Sequence, residues 1–148
     1  MGFFDASTGD LFTYWKTKSE ITALVGMGTS ARIYAQGAKA GEPMPFVVVI
    51  PAGGNDHRHL SGLSGIRRQV MEVIACGSTQ ASADALAEAV RSETADYRGV
   101  MGASWVNQVL QETAPESGYD QPLDGSHQGR YWTMIRYSVT YIPEGAPE

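Results

Sequence analysis

The chain has 148 residues, 43% of them hydrophobic and 18% charged, and its 11 basic and 16 acidic side chains give a formal net charge of −5. This length predicts one globular domain spanning residues 1–148. The acidic balance disfavours a nucleic-acid-binding domain, which normally carries a basic stripe. The low charged fraction favours a chain that covers part of its surface with partners.

The N-terminus and the single cysteine predict a cytoplasmic, reducing compartment for the chain. The first residues, Met1–Asp5, contain neither a basic region nor a long apolar core, so we expect no signal peptide. No apolar run reaches the roughly 18 residues of a transmembrane helix, so we expect no membrane partner. Cys76 lies in an apolar run without basic neighbours, which predicts a buried small hydrophobe rather than a reactive thiol.

The N-terminal part of the chain predicts two short helices followed by two strands. Ser19 is expected to cap the second helix, and Gly26 is expected to end it. A brief strand at 32–34 precedes the β-branched run 46–50, which is typical of a central strand. The segment 52–66 is too long for a tight hairpin and too polar for a core, so we predict a long loop there, of the kind that is usually functional or disordered.

A strand and the longest helix come next. Residues 68–75 predict the strand, and Ser78 or Thr79 is expected to cap a helix that runs to about Thr94. The apolar stripe of this helix follows the i, i+3, i+4, i+7 spacing and uses small residues that suit close packing on a sheet: Ala83, Leu86, Ala87 and Val90.

The C-terminal part predicts two further strands separated by a loop. The strands span 103–111 and 130–142, and the segment 112–129 is rich in proline, glycine and acid, which predicts a second long loop. Residues 143–148 form a short tail. Adjacent strands with few crossover helices predict an α+β fold, in which a mostly antiparallel sheet packs against two or three helices.

The two faces of the last strand differ. Tyr137 and its alternate neighbours line one face, whereas Trp132, Met134 and Arg136 line the other. Large apolar residues on a face that helices leave open need a second layer or a partner, so we expect an oligomer. Glu72 interrupts an apolar strand, and it is either an exposed strand position or the partner of an arginine from a neighbouring subunit.

One cluster in the segment 52–66 is similar to a metal or acid–base site. His57 and His59 share a face if the segment is extended, which suits two metal ligands, and Asp56 lies beside them. A third ligand is not supplied nearby, because the remaining histidine is His127. We therefore favour a solvated or partner-contacting loop over a metal-dependent enzyme, and take five consecutive residues as interface candidates: Asp56, His57, Arg58, His59 and Leu60.

Other signs of catalysis are missing from the sequence. The glycine spacings match neither a phosphate-binding loop nor a nucleophile elbow. We expect no enzyme, no cofactor and no catalytic or metal-binding residues.

Taken in order, the segments resemble a known family over roughly Leu11–Tyr141. They carry the sequences ITALVG at 21–26, RIY at 32–34, PFVVV at 45–49, QVMEVIA at 69–75, ADALAEAVR at 83–91 and YWTMIRYSVTY at 131–141. Their order and spacing are similar to those of the tail-completion, or tail-terminator, family of long-tailed phages and prophages. The segments 52–66 and 112–129 carry no motif of that family.

The resemblance implies a structural virion protein of the tail or neck, made in the host cytoplasm. It implies a homohexameric ring that caps the completed tail tube and forms the tail side of the head–tail junction. Its partners are then the tail tube protein and the connector or stopper protein of the head, and DNA passes through the ring without specific binding. The alternatives are another neck protein of the same particle, such as a head-completion ring, and a small metal-dependent enzyme that uses Asp56, His57 and His59.

Overall fold

The computed structural model describes residues 9–26, 31–35, 43–59, 62–120 and 129–142, with the backbone alone at 54–59 and 62–65. Three helices are present in these ranges: α1 (Asp10–Trp15), α2 (Ser19–Val25) and α3 (Gln80–Thr94). The seven strands in the same ranges are β1 (Ile33–Ala35), β2 (Phe46–His59), β3 (Gly62–Gly77), β4 (Gly99–Met101), β5 (Ser104–Gln111), β6 (Glu116–Asp120) and β7 (Arg130–Ile142).

The strands form one strongly curled sheet in the order β1-β2-β3-β7-β5-β4. β1 runs parallel to β2, and the other neighbouring strands are antiparallel. β3 covers one side of β7, whereas β5 and β6 share its other side, pairing with residues 137–142 and 130–134 respectively. The predicted α+β class is confirmed.

The helices cover one face of this sheet and form the main core with it. α3 lies against β3 and β7, and its predicted stripe is buried throughout. Its N-terminus is capped by Thr79, whose Oγ1 accepts a hydrogen bond from the Ser82 amide at 3.1 Å. The largest fully buried side chains include Trp15, Tyr137, Phe12, Phe46, Leu11, Ile21, Met71 and Leu86.

Polar contacts attach α1 to the elements on either side of it. The Trp15 indole donates to Thr94 Oγ1 at 2.9 Å, at the end of α3. The Asp10 carboxylate accepts hydrogen bonds from the Ala103 amide and from the Ser104 hydroxyl, in the turn between β4 and β5. In that turn Gly102 has φ +56°, and a Cβ there would meet Asp10 Cα at 2.8 Å, so glycine is required.

The predicted loop at 52–66 is wrong. β2 continues to His59 and β3 begins at Gly62, so the segment is a two-stranded ribbon. We call residues 52–59 and 62–66 the hairpin arm. Its strands pair with each other, but β7 pairs with β3 only from Arg67 onward and β1 pairs with β2 only at 47–49. Within the described residues the arm therefore extends past the strands that flank β2 and β3, and its sequence shows no apolar alternation.

The predicted loop at 112–129 is also wrong in part, because β6 occupies 116–120. This strand is mostly exposed, with the sequence ESGYD, so no hydrophobic pattern marks it. The short strand β4, at 99–101, is likewise not predicted by its sequence. The predicted tail at 143–148 and the positions 121–128 lie outside the described residues.

Candidate interaction surface

The face of the sheet opposite the helices carries four of the predicted interface residues, and we call it the open face. Strand alternation places Trp132, Met134 and Arg136 there, all half-buried, while Tyr137 and its alternate neighbours face the core. This alternation of β7 is confirmed. Glu72 lies on the same face of the neighbouring strand β3, directly paired with Arg136.

Trp132 belongs to a small second apolar cluster on the open face. Phe46, Val48 and Cys76 are the buried members, and the Trp132 indole packs against them. Gly118 lies opposite Trp132 on β6, and a Cβ there would overlap the indole ring. The chain itself thus covers part of the apolar surface that the sequence assigns to a partner.

Cys76 is buried in this cluster, as predicted. Burial raises the pKa of its thiol to about 11 and outweighs the opposing effect of the nearby Arg130 guanidinium. At pH 8 about one thiol in a thousand is then ionised, and the thiolate is the reactive form. We expect a thiol reagent to label the folded chain at least about a hundredfold more slowly than the chain unfolded in denaturant.

The control for this labelling experiment moves the thiol to the surface. A Cys76→Ser chain with Ser78→Cys carries its thiol at an exposed position two residues away, and it should react rapidly while folded. Equal rates for the folded and unfolded native sequence would contradict the assignment of Cys76 as a buried hydrophobe.

Two ion pairs cross the open face. Arg136 Nη2 lies 2.9 Å from Glu72 Oε2, and Arg68 Nη2 lies 3.1 Å from Glu112 Oε2. The arginine that pairs with Glu72 thus comes from the adjacent strand of the same chain, not from a neighbouring subunit. All four side chains are partly exposed, and such pairs stabilise by about 1 kcal/mol or less, so they chiefly set the polarity of the face.

The outer side of residues 110–120 pairs with no strand within the described part of the chain, and we call this segment the acidic margin. It contains Glu112, Glu116 and Asp120, and the sequence has no lysine or arginine between Arg98 and Arg130. The exposed large hydrophobic side chains of the described residues all lie on β4, β5 and β6. They are Val100 (59% exposed), Leu110 (44%) and Tyr119 (47%).

Four of the other five predicted interface residues fall in the hairpin arm. Asp56, His57, Arg58 and His59 are on β2, but their side chains lie outside the described part of the structure, as does Leu60 altogether. Among the described residues, no three histidine, cysteine, aspartate or glutamate side chains are grouped closely enough to hold a metal ion. None of the described helices has the length and apolar character needed to cross a bilayer.

Comparison with known proteins finds similarity among solved structures. No protein-family model matches the chain, and no curated protein is similar to it. Among solved structures, a chain of the virion of a native gene transfer agent particle has a TM-score of 0.52 and 16% sequence identity. The similarity covers 82% of this chain and 84% of the other. At this identity, the likeness shows a shared fold.

Proposed function

We propose that this chain is a structural protein of a phage-like virion, which caps a completed tail tube and forms the tail side of the junction with the head. The observation that carries the proposal is the fold shared with a gene transfer agent virion chain, over more than four fifths of both chains. The segments quoted above resemble the tail-terminator family and favour this role within a virion.

The proposed mechanism is surface complementarity without bond chemistry. Each copy contacts the next through two different patches, one on each copy. When the rotation that relates neighbouring copies adds up to a full turn, the copies form a closed ring. One side of the ring matches the end of the tube, and the other matches the connector of the head. A tube subunit that reaches a capped end finds no binding site, so growth stops. The ring is proposed to be a homohexamer.

The chemistry of the chain fits a channel for DNA. With a net charge of −5 and three carboxylates along the acidic margin, a ring of copies presents a field that repels phosphate. DNA then passes through without binding, as a conduit requires. The proposed location is the tail or neck of the virion.

Electron microscopy of lysates made with and without the protein tests this function. Without it, we expect tails that are not joined to heads and are often longer than normal, because neither the cap nor the docking surface is present. Adding the purified protein to such a lysate should restore head-attached tails.

The same images distinguish the neighbouring role. A head-completion ring is bound to the head before joining, so its loss leaves tails of normal length with a bound cap. Head-attached tails of normal length in the absence of the protein would rule out both roles.

A further inference from the structure

The strand β6 buries little of its own surface. It pairs with residues 130–134 of β7, and among the described elements β7 is its main contact. Four of its five side chains are exposed: Glu116, Ser117, Tyr119 and Asp120. None of its residues belongs to a core cluster of the described part of the chain. A strand that buries so little apolar area gains little stability from packing, so it can separate from the sheet at a low cost in free energy.

The centre of β6 is nevertheless fitted to Trp132. Gly118 is paired with Trp132, and a Cβ at position 118 would overlap the atoms Cζ2 and Cε2 of the indole. Glycine inside a strand weakens the strand, and it often marks a place where another group approaches the backbone closely. The indole therefore lies against the backbone of β6. It also packs against the small cluster of Phe46, Val48 and Cys76.

The strand to which β6 is attached is held by other partners. β3 pairs with β7 along residues 131–141 and β5 pairs with it along 137–142, so β7 keeps its place in the sheet when β6 separates. The side-chain contacts that are lost include the packing of the Tyr119 ring on the Tyr131 ring, whose centroids lie 4.6 Å apart, and the cover that Gly118 gives to Trp132. Opening of β6 thus leaves the main core between the helices and the sheet intact.

We infer that β6 is a strap, which closes over Trp132 and opens before the rest of the chain unfolds. Opening removes the backbone that lies against the indole, so the exposure of Trp132 increases while the main core stays folded. The exposure of this predicted interface residue is therefore controlled by β6, and the curvature of the sheet alone does not fix it. The inference concerns a single copy of the chain and does not depend on the proposed function.

Hydrogen exchange tests the order of opening. The slowest amides of β6 should exchange at least about a hundredfold faster than the slowest amides of residues 137–141, which β3 and β5 hold from both sides. Low concentrations of urea should leave the exchange of β6 unchanged, because a local opening exposes little surface, and should accelerate the exchange of residues 137–141. Equal exchange rates with the same urea dependence would overturn the strap, since β6 would then open only with the whole chain.

A Gly118→Ala variant tests whether β6 covers Trp132. The added Cβ overlaps the indole, so β6 should lift, and its amides should exchange at least about tenfold faster than in the native chain. Quenching of Trp132 fluorescence by acrylamide should also increase. It is measured with Trp105→Phe present, because the remaining tryptophan, Trp15, is fully buried.

The matched control is Ser117→Ala, which changes the exposed neighbour of Gly118 and should alter neither the exchange of β6 nor the quenching of Trp132. Urea unfolding verifies that both variants retain the main core. If the Gly118→Ala chain keeps the native value of either readout, the inference is overturned. Faster quenching alone would mean that the indole moves and β6 stays, whereas faster exchange alone would mean that β6 does not cover Trp132.

Discussion

Replacing Leu86 with aspartate should leave the chain unfolded in water. Leu86 is fully buried on α3, between the helix and the sheet. Losing a buried leucine costs about 2–5 kcal/mol through the cavity that remains. An unpaired carboxylate in the same place adds several kcal/mol of desolvation. The sum is comparable with the 5–15 kcal/mol that typically separates a folded domain from its unfolded state.

The measurement is urea unfolding followed by circular dichroism. Ala85→Asp is the matched control, because Ala85 is the preceding residue of the same helix and is exposed. The Ala85→Asp substitution should lower the free energy of unfolding by less than about 1 kcal/mol, because aspartate only has a lower helix propensity than alanine at this exposed position. A cooperative transition for Leu86→Asp with near-native stability would contradict the placement of α3 against the sheet.

Shortening the hairpin arm should separate folding from docking. Residues 57–66 can be replaced by Asn-Gly, a two-residue turn that closes the ribbon at the pair Asp56–Arg67. The removed segment pairs with neither β1 nor β7, so the free energy of unfolding should change by about 1 kcal/mol or less. Assembly on tails should nevertheless be lost, because the predicted interface residues at 57–60 are removed.

Urea unfolding measures the stability of the shortened chain. Its function is measured as the number of head-attached tails after the purified shortened chain is added to a lysate made without the native protein. The number of head-attached tails should stay as low as in the same lysate with no protein added. Arg58→Lys, which keeps the length and the charge of the arm, serves as the control and should restore joining. A folded, shortened chain that joins heads to tails as well as the native one would contradict an interface role for the arm.

The elements that the sequence predicts well are those whose residues face the core. β7 has the predicted bounds 130–142, because its alternation of tyrosine and β-branched residues with polar ones reflects a buried and an open face. The stripe on α3 is predicted for the same reason, and Thr79, which caps the helix, is one of the two caps expected there, with Ser78. No residue of β6 belongs to a core cluster, and the arm extends past the stretches of β1 and β7 that pair with its strands, so their polar, glycine-containing sequences are indistinguishable from loops.

The interaction surface depends on strand register, which the residues of one strand do not determine. Glu72 stands out as an acidic residue in an apolar strand, but its pairing with Arg136 follows from the alignment of β3 with β7. The position of Gly118 beneath Trp132 depends in the same way on β6. The acidic gap between Arg98 and Arg130 is visible in the sequence, whereas the unpaired strand edge that carries it is not.

The double pairing of β7 determines how the chain responds to mechanical load. Hydrogen bonds between strands lie across the strand direction, so a force along β7 loads them in shear and all must yield together. β3 holds one side of β7 along residues 131–141, while β5 and β6 hold the other. Within the described residues the arm is held by the one ladder between its own strands, which opens one pair at a time when those strands are pulled apart. β7 therefore resists a pull along its own strand direction more strongly than the arm resists separation of its two strands.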